Sequence, residues 1–454
     1  MDETFRFELR DRVEEAMRRL HVPGVAVGIV EGDAELVEVF GVTNISNPTA
    51  VDEWTLFQIG STTTTFTATL LMQEVDADRL DLDAPVRRYL PEFRLQRDEW
   101  SDSVLVRHLL THSGGFDGDW FLRYPRGDEE RLAAVVAAMD EVPVRSQSGE
   151  AFSYSNLGFA IAGRIAEVLG SGAAEDLIEQ RIFRPLGMSN STNRTHEALS
   201  RRYASGHLVR GERVEIAHPW HLVRSAAAHG GVISDVRDQL RWARFQMGDG
   251  TGVDATGVRS RVLSEQSLSA MQRAQLRAGS ICDAVGYAWL LEEIGGVLTI
   301  GHRGETNGQT SAFRFVPEHD FAITVLTNSS SGARLHEDLV DWVLERRLGI
   351  RRAAPRLVEP SNRGAFVGRY EGTLCDAVLD VDGGSLWIEV ESHQQEGRPP
   401  PIQSAPSPVR FTAPREFEAI SGALAGMRGE LFDGVGDVPM WLRWDGRLLP
   451  RRDD

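Results

Sequence analysis

The feature that most limits how this chain can fold is the placement of its strand-like runs at the two ends of a long helical stretch. Residues 25–30 and 35–42 are β-rich and joined by Gly32-Asp33, a hairpin signal. Comparable runs return only at 297–302, 310–316 and 321–328, the last two turned by Pro317-Glu318-His319-Asp320. Between them the apolar period is helical: Phe66, Leu70, Leu71 and Val75 repeat within 65–90, and helices and loops continue to about residue 280. Leu9, Val13, Met17 and Leu20 place a helix before the first strands, and 335–348 reads as a helix after the last. Strands this far apart in sequence pair only by assembling one antiparallel sheet from both ends of the segment, with helices packed against it. That is an α+β architecture with a largely helical middle.

Near 351–362 the chain turns rich in Arg, Pro and Ala, which is linker composition. Beyond it, 366–370, 377–381, 386–390, 440–444 and 447–449 read as short strands punctuated by Asp382-Gly383-Gly384 and Asp445-Gly446. The expected organisation is a main domain over 1–350, a linker over 351–362 and a small β-domain over 363–454. A length of 454 residues favours more than one core.

The formal net charge of −18 argues against nucleic acid or an anionic membrane as partner, since both want a basic face. No apolar run is long enough for a membrane span, and residues 1–10 lack the basic-then-apolar pattern of a secretory leader, so the expected location is the cytoplasm. Cys282 and Cys375 show no paired spacing and read as small buried hydrophobes. The 49 basic residues are all arginine; the chain has no lysine. A GC-rich, salt-adapted genome accounts for that, and so does selection against side-chain amines.

Serine nucleophiles need a fixed hydroxyl, a base within reach and donors for a developing oxyanion. Three segments supply such groups. In Phe57-Gln58-Ile59-Gly60-Ser61-Thr62-Thr63-Thr64-Thr65-Phe66 a serine opens a helix, so its own N–H and the positive helix end face one point, and position 64 lies one turn on along the same face. Tyr154-Ser155-Asn156 and Gly301-His302-Arg303-Gly304, the latter on an expected edge strand, are the other two. As a residue type Ser61 is equally a helix N-cap.

The order of these segments resembles the Ser-x-x-Lys, Tyr-x-Asn and Lys/His-x-Gly signature of the serine β-lactamases, penicillin-binding proteins and related esterases. Val22-Pro23-Gly24-Val25-Ala26, Leu110-Thr111-His112-Ser113-Gly114-Gly115, Pro185-Leu186-Gly187-Met188, Gly230-Gly231-Val232-Ile233-Ser234 and Leu326-Thr327-Asn328 extend the likeness toward the class C branch. The resemblance implies a β-lactamase/transpeptidase-like fold that needs no cofactor or metal. It implies Ser61 as acylated nucleophile, Tyr154 as proton relay and Asn156 as a donor to substrate or to the catalytic network. His302, Arg303 and Gly304 would dock the substrate, with the N–H groups of Ser61 and Glu305 as oxyanion hole. Phe366-Val367-Gly368-Arg369-Tyr370 resembles the opening of the barrel-like, lipocalin-like modules that some members carry. His207, His218, His221 and His229 match no zinc spacing, and His112 reads as a loop stabiliser.

One position departs from the pattern. Thr64 stands where the family lysine takes the serine's proton, and a threonine hydroxyl is no base. Tyr154 at an ordinary pKa would be about 0.1% ionised at neutral pH, a deficit of about 4 kcal/mol. His302 and Arg303, pointing inward, would reduce it by favouring the phenolate. The expected activity is acyl-enzyme hydrolysis of small esters or amides. Esters are favoured over β-lactams and over D-aminopeptidase or carboxypeptidase substrates, because His-Arg-Gly replaces Lys-Thr-Gly and an ester asks less of the base. A catalytically silent ligand-binding protein and a Lys-to-Thr variant of an active hydrolase are the alternatives, and a homo-oligomer is compatible with all three.

Overall fold

The computed structural model describes residues 1–120, 131–220, 222–393, 403–435 and 437–452. Helix α1 (Glu3–Leu20) starts where the Asp2 carboxylate accepts the Phe5 N–H at 2.8 Å and leads into the hairpin of β1 (Gly24–Glu31) and β2 (Ala34–Gly41). Gly32 holds the turn at φ +55°. The main helices of the middle are α2 (Thr63–Asp76), α3 (Asn156–Gly170) and α4 (Val236–Met247). Strands β3 (Leu276–Arg277), β4 (Ala284–Val285), β5 (Leu290–Ile294), β6 (Val297–Thr306), β7 (Gln309–Val316) and β8 (Phe321–Thr327) follow, then α5 (Gly332–Leu348).

The sheet runs β2-β1-β8-β7-β6-β5-β4-β3 and is antiparallel throughout. Val25 of β1 lies opposite Thr327 of β8, so the two ends of the main fold meet within the sheet, one strand in from its β2 edge. One face packs against α1 and α5, where Phe5 stacks on Trp342 with centroids 5.6 Å apart. The other carries the helical middle: α4 lies across β1 and β8, and α2 is pinned to it by Phe66 stacked on Trp242 at 4.1 Å.

The helical period over 65–90 predicts a longer helix than forms. α2 stops at Asp76, and Asp78 adopts a left-handed conformation at φ +54°. Cys282 is buried while Cys375 is only half-buried. His207 is structural: its ring accepts the Ile45 N–H and contacts the Asn328 carbonyl at 2.8 Å. His221 lies outside the described residues.

Past residue 351 the chain has no regular structure until a short turn at Arg363–Phe366. Eight strands then follow in order as neighbours: β9 (Gly368–Glu371), β10 (Cys375–Asp382), β11 (Ser385–Ser392), β12 (Ser407–Ala413), β13 (Glu416–Ala419), β14 (Arg428–Val435), β15 (Val438–Trp444) and β16 (Arg447–Pro450). The last end returns to the first, with Tyr370 bridging to Arg451 and the Arg452 N–H donating to the Arg369 carbonyl at 2.8 Å. The sheet is therefore a nearly closed barrel around Tyr370, Leu379, Ile388, Leu431 and Trp444. β12, β13 and β14 are absent from the strands read in the sequence, because Pro408, Gly429 and interspersed charges hide their alternation.

No single helix among the described residues is long and apolar enough to cross a membrane. Phe66→Ala should lower stability by about 3–5 kcal/mol through the cavity left against Trp242, measurable as a shift in the urea-unfolding midpoint with unchanged slope.

Candidate active site

Ser61 occupies a tight turn, Gly60–Thr62, that runs directly into α2. The next residues are β-branched and buried, a poor helical composition unless each hydroxyl finds a partner. Each does. Thr62 Oγ1 lies 3.1 Å from Ser311 Oγ, Thr63 Oγ1 accepts the Val232 N–H at 3.0 Å, and Thr65 Oγ1 donates to the Thr62 carbonyl at 2.7 Å. Thr67 Oγ1 reaches the Ala228 carbonyl at 2.7 Å. The threonine run thus stitches the start of α2 to its surroundings and fixes the turn that carries Ser61.

Strand β6 lies against that turn. β5 pairs with β6 only as far as Gly301, so His302–Thr306 keeps β7 on one side and faces the Ser61 turn on the other. The contact demands glycine on both partners. A Cβ on Gly304 would sit 1.8 Å from the Ile59 carbonyl oxygen, and one on Gly60, already at φ +52°, would sit 2.5 Å from the Glu305 nitrogen. Ser311 Oγ ties the pair by donating to the Ile59 carbonyl at 2.7 Å. The backbone at Ser61 and Glu305 is in this way brought to close range, the arrangement a pair of oxyanion donors requires.

Thr64 is completely buried, and its hydroxyl lies 2.8 Å from the Ser61 carbonyl and 3.3 Å from His302 Nε2. His302 alternates inward on β6 while Arg303 points out, its guanidinium donating to the Glu337 carboxylate at 2.7 Å. This corrects the sequence expectation for Arg303: it does not face Tyr154. Burial, with the Arg303 charge nearby, lowers the His302 pKa to about 4, so the ring is neutral and offers no charge to a phenolate.

Tyr154 is buried across from Ser61. Its hydroxyl reaches toward the serine without completing a well-formed bond among the described residues, and burial pushes the phenol up to about 12, against the opposing pull of the Ser61 hydroxyl and Arg447. The expected lowering of the tyrosine pKa is therefore reversed. His112 stacks on the ring with centroids 4.2 Å apart, accepts the Ser155 N–H on Nδ1 at 2.9 Å and is kept neutral by burial. It holds the Tyr154 loop, as read from the sequence, but does so in direct contact with the tyrosine.

Asn156 opens α3, and its Nδ2 donates to Asp119 at 2.7 Å. Asp119 also accepts from Arg447 Nε at 2.8 Å, and the Arg447 guanidinium lies 5.1 Å from the centre of the Tyr154 ring. Arg447 belongs to the C-terminal barrel. The β15–β16 turn docks on the loop before α3, with the Tyr154 N–H bonded to the Gly446 carbonyl at 2.8 Å and the Leu448 N–H to Ser153 Oγ at 3.2 Å. Neither Asp119 nor Arg447 figures among the candidates read from the sequence. The one trace of the latter is Trp444-Asp445-Gly446-Arg447, a hairpin turn remote from every motif.

A family model described as Beta-lactamase matches residues 9–346. The chain belongs to the beta-lactamase family. It is 35% identical over 376 residues to penicillin-binding protein 4 of Amycolatopsis lactamdurans, covering 80% of this chain and 96% of that protein. It is 25% identical over 357 residues to an unguisins hydrolase of Aspergillus campestris, covering 73% of this chain and 64% of that protein. Among solved structures, that of SurE superposes with a TM-score of 0.75 at 25% identity, over 98% of this chain and 99% of that one. The match places residues 9–346 in a family of serine hydrolases, and the C-terminal barrel lies beyond it.

The Arg447–Asp119 pair joins the barrel to this beta-lactamase fold, and Asp119 is only 3% exposed. Asp119→Ala should cost about 2 kcal/mol by removing the buried partner of the Arg447 guanidinium, which then keeps only Asp445, read as a lowered thermal midpoint.

Proposed function

We propose that the chain is an acyl-enzyme serine hydrolase in which Ser61 attacks a small ester or amide, with esters preferred. The observation that carries this reading is the Ser61 turn pressed against β6, because the close approach at Gly60 and Gly304 suits the Ser61 and Glu305 N–H groups to act together as oxyanion donors. Tyr154 stands opposite as proton donor to the leaving group, and His302 and Gly304 form the substrate-docking edge with Asn156 and Asp119 at its far side. The names of the relatives, a penicillin-binding protein and an unguisins hydrolase, support a hydrolase reading of the site. The preference for esters rests on the missing lysine, since an alkoxide leaves with less proton assistance than an amine.

A specific observation also favours a silent, ligand-binding site. With its pKa near 12, Tyr154 is ionised to about one part in 100,000 at pH 7, which as sole base costs about 7 kcal/mol. Turnover therefore separates the two. p-Nitrophenyl butyrate should be hydrolysed by the native chain and not by Ser61→Ala; equal rates in the two would refute the hydrolase reading, and saturable binding without turnover would establish the silent one.

A further inference from the structure

We propose that the Ser61 proton passes through the Thr64 hydroxyl to Nε2 of His302, so that this threonine–histidine pair takes the place of the missing lysine. The inference rests on the reading of Ser61 as nucleophile and adds the identity of its base.

The tautomer of His302 is set by its surroundings. Nδ1 lies 2.6 Å from the Arg303 carbonyl oxygen, which can only accept, so Nδ1 carries the hydrogen and Nε2 presents its lone pair. That lone pair points into a site where His302 is 3% exposed and Thr64 fully buried, and the donor at hand is Thr64 Oγ1 at 3.3 Å. The single Thr64 proton has two acceptors, the Ser61 carbonyl at 2.8 Å and His302 Nε2, and rotation about Cβ–Oγ exchanges them. With the proton turned to His302, the Thr64 lone pairs are free to accept, and the relay requires that they accept from the Ser61 hydroxyl, which stands three residues earlier in the turn that leads into α2.

The step balances within these groups. Ser61 Oγ bonds to the acyl carbon as its proton moves to Thr64 Oγ1, the Thr64 proton moves to Nε2, and His302 becomes an imidazolium while Thr64 remains a neutral hydroxyl. As the acyl–oxygen bond breaks, Tyr154 gives its hydroxyl proton to the leaving alkoxide, which departs as alcohol, and the His302 imidazolium, whose ring centroid lies 6.2 Å from that of Tyr154, returns the proton it holds to the phenolate. A water repeats the sequence in deacylation.

His302 is suited to this because it holds no proton on Nε2 at neutral pH, its pKa being depressed to about 4 by burial. The groups that face it are few. Thr64 approaches from α2, Tyr154 from the loop before α3 with ring centroids 6.2 Å apart, the neutral His112 from behind the tyrosine, and Arg303 from its own strand. Burial keeps His112 neutral and pushes the Tyr154 phenol up to about 12, so a His302 base gives a level rate around neutral pH and a Tyr154 base a rising one.

The test is the second-order rate of a fluorophosphonate probe on the full chain, followed by intact mass and peptide mapping across pH 4 to 10. The expected result is a Ser61 adduct formed at a rate that is level from about pH 6 to 9 and falls through an acid limb below about pH 5. A rate that climbs tenfold per pH unit across the same range would assign the proton to Tyr154 and overturn the proposal. Thr64→Val and His302→Gln should each slow labelling by about a hundredfold, with Thr64→Ser near native and the acid limb gone in His302→Gln. Thr64→Lys combined with His302→Gln should recover labelling, which shows that the fold survives loss of the imidazole. Native-rate labelling of His302→Gln would sink the relay while leaving Ser61 as nucleophile. Absence of a Ser61 adduct in every variant, Thr64→Lys included, would overturn the relay and the hydrolase reading together.

Discussion

The contact on which the site depends is a backbone one: the turn at Ile59 and Gly60 lies so close under β6 that neither Gly60 nor Gly304 has room for a Cβ. Everything else arranges itself around that approach. Strand β6 belongs to the sheet built from the two ends of the main fold, while the Ser61 turn belongs to a helix of the middle. The Phe66–Trp242 stack and the hydroxyl ties of the threonine run hold the helix at the height where the turn meets the strand. A buried run of threonines is an expensive way to start a helix, and here it doubles as the means of fixing the serine.

The absence of lysine has a chemical consequence at this point. Arginine replaces it wherever a permanent charge is wanted, as in the Arg447–Asp119 and Arg303–Glu337 pairs. It cannot replace it as a base, because a guanidinium does not release its proton in the accessible range. A lysine-free member of this family must find its proton acceptor among histidines, tyrosines and carboxylates. Of the groups near Ser61, Tyr154 is driven the wrong way by burial, whereas His302 is driven toward the neutral form that accepts.

Much of the fold was legible because period and spacing carry it. The hairpin at Gly32-Asp33, the turn 317–320 and the strands around them follow from alternation, and the pairing of β1 with β8 follows from having to join strands so distant in sequence. The three middle strands of the barrel were not, because strands half open to solvent with Pro408 and Gly429 in them carry no clean alternation. At the site, Ser61, Thr64, Tyr154 and His302 announce themselves by motif, but their protonation does not. Burial decides the Tyr154 and His302 pKa values, and burial depends on which elements close over them. Asp119 and Arg447 illustrate the same limit: their pairing joins two domains across a gap in sequence that no local pattern spans.

The most direct test of the account is a crystal structure of the chain after phosphonylation. The geometry predicts phosphorus bonded to Ser61 Oγ, its oxygen held by the N–H groups of Ser61 and Glu305, and Thr64 Oγ1 lying between the serine and His302 Nε2. A phosphonyl oxygen turned away from β6, or a Thr64 hydroxyl with no path to His302, would contradict it.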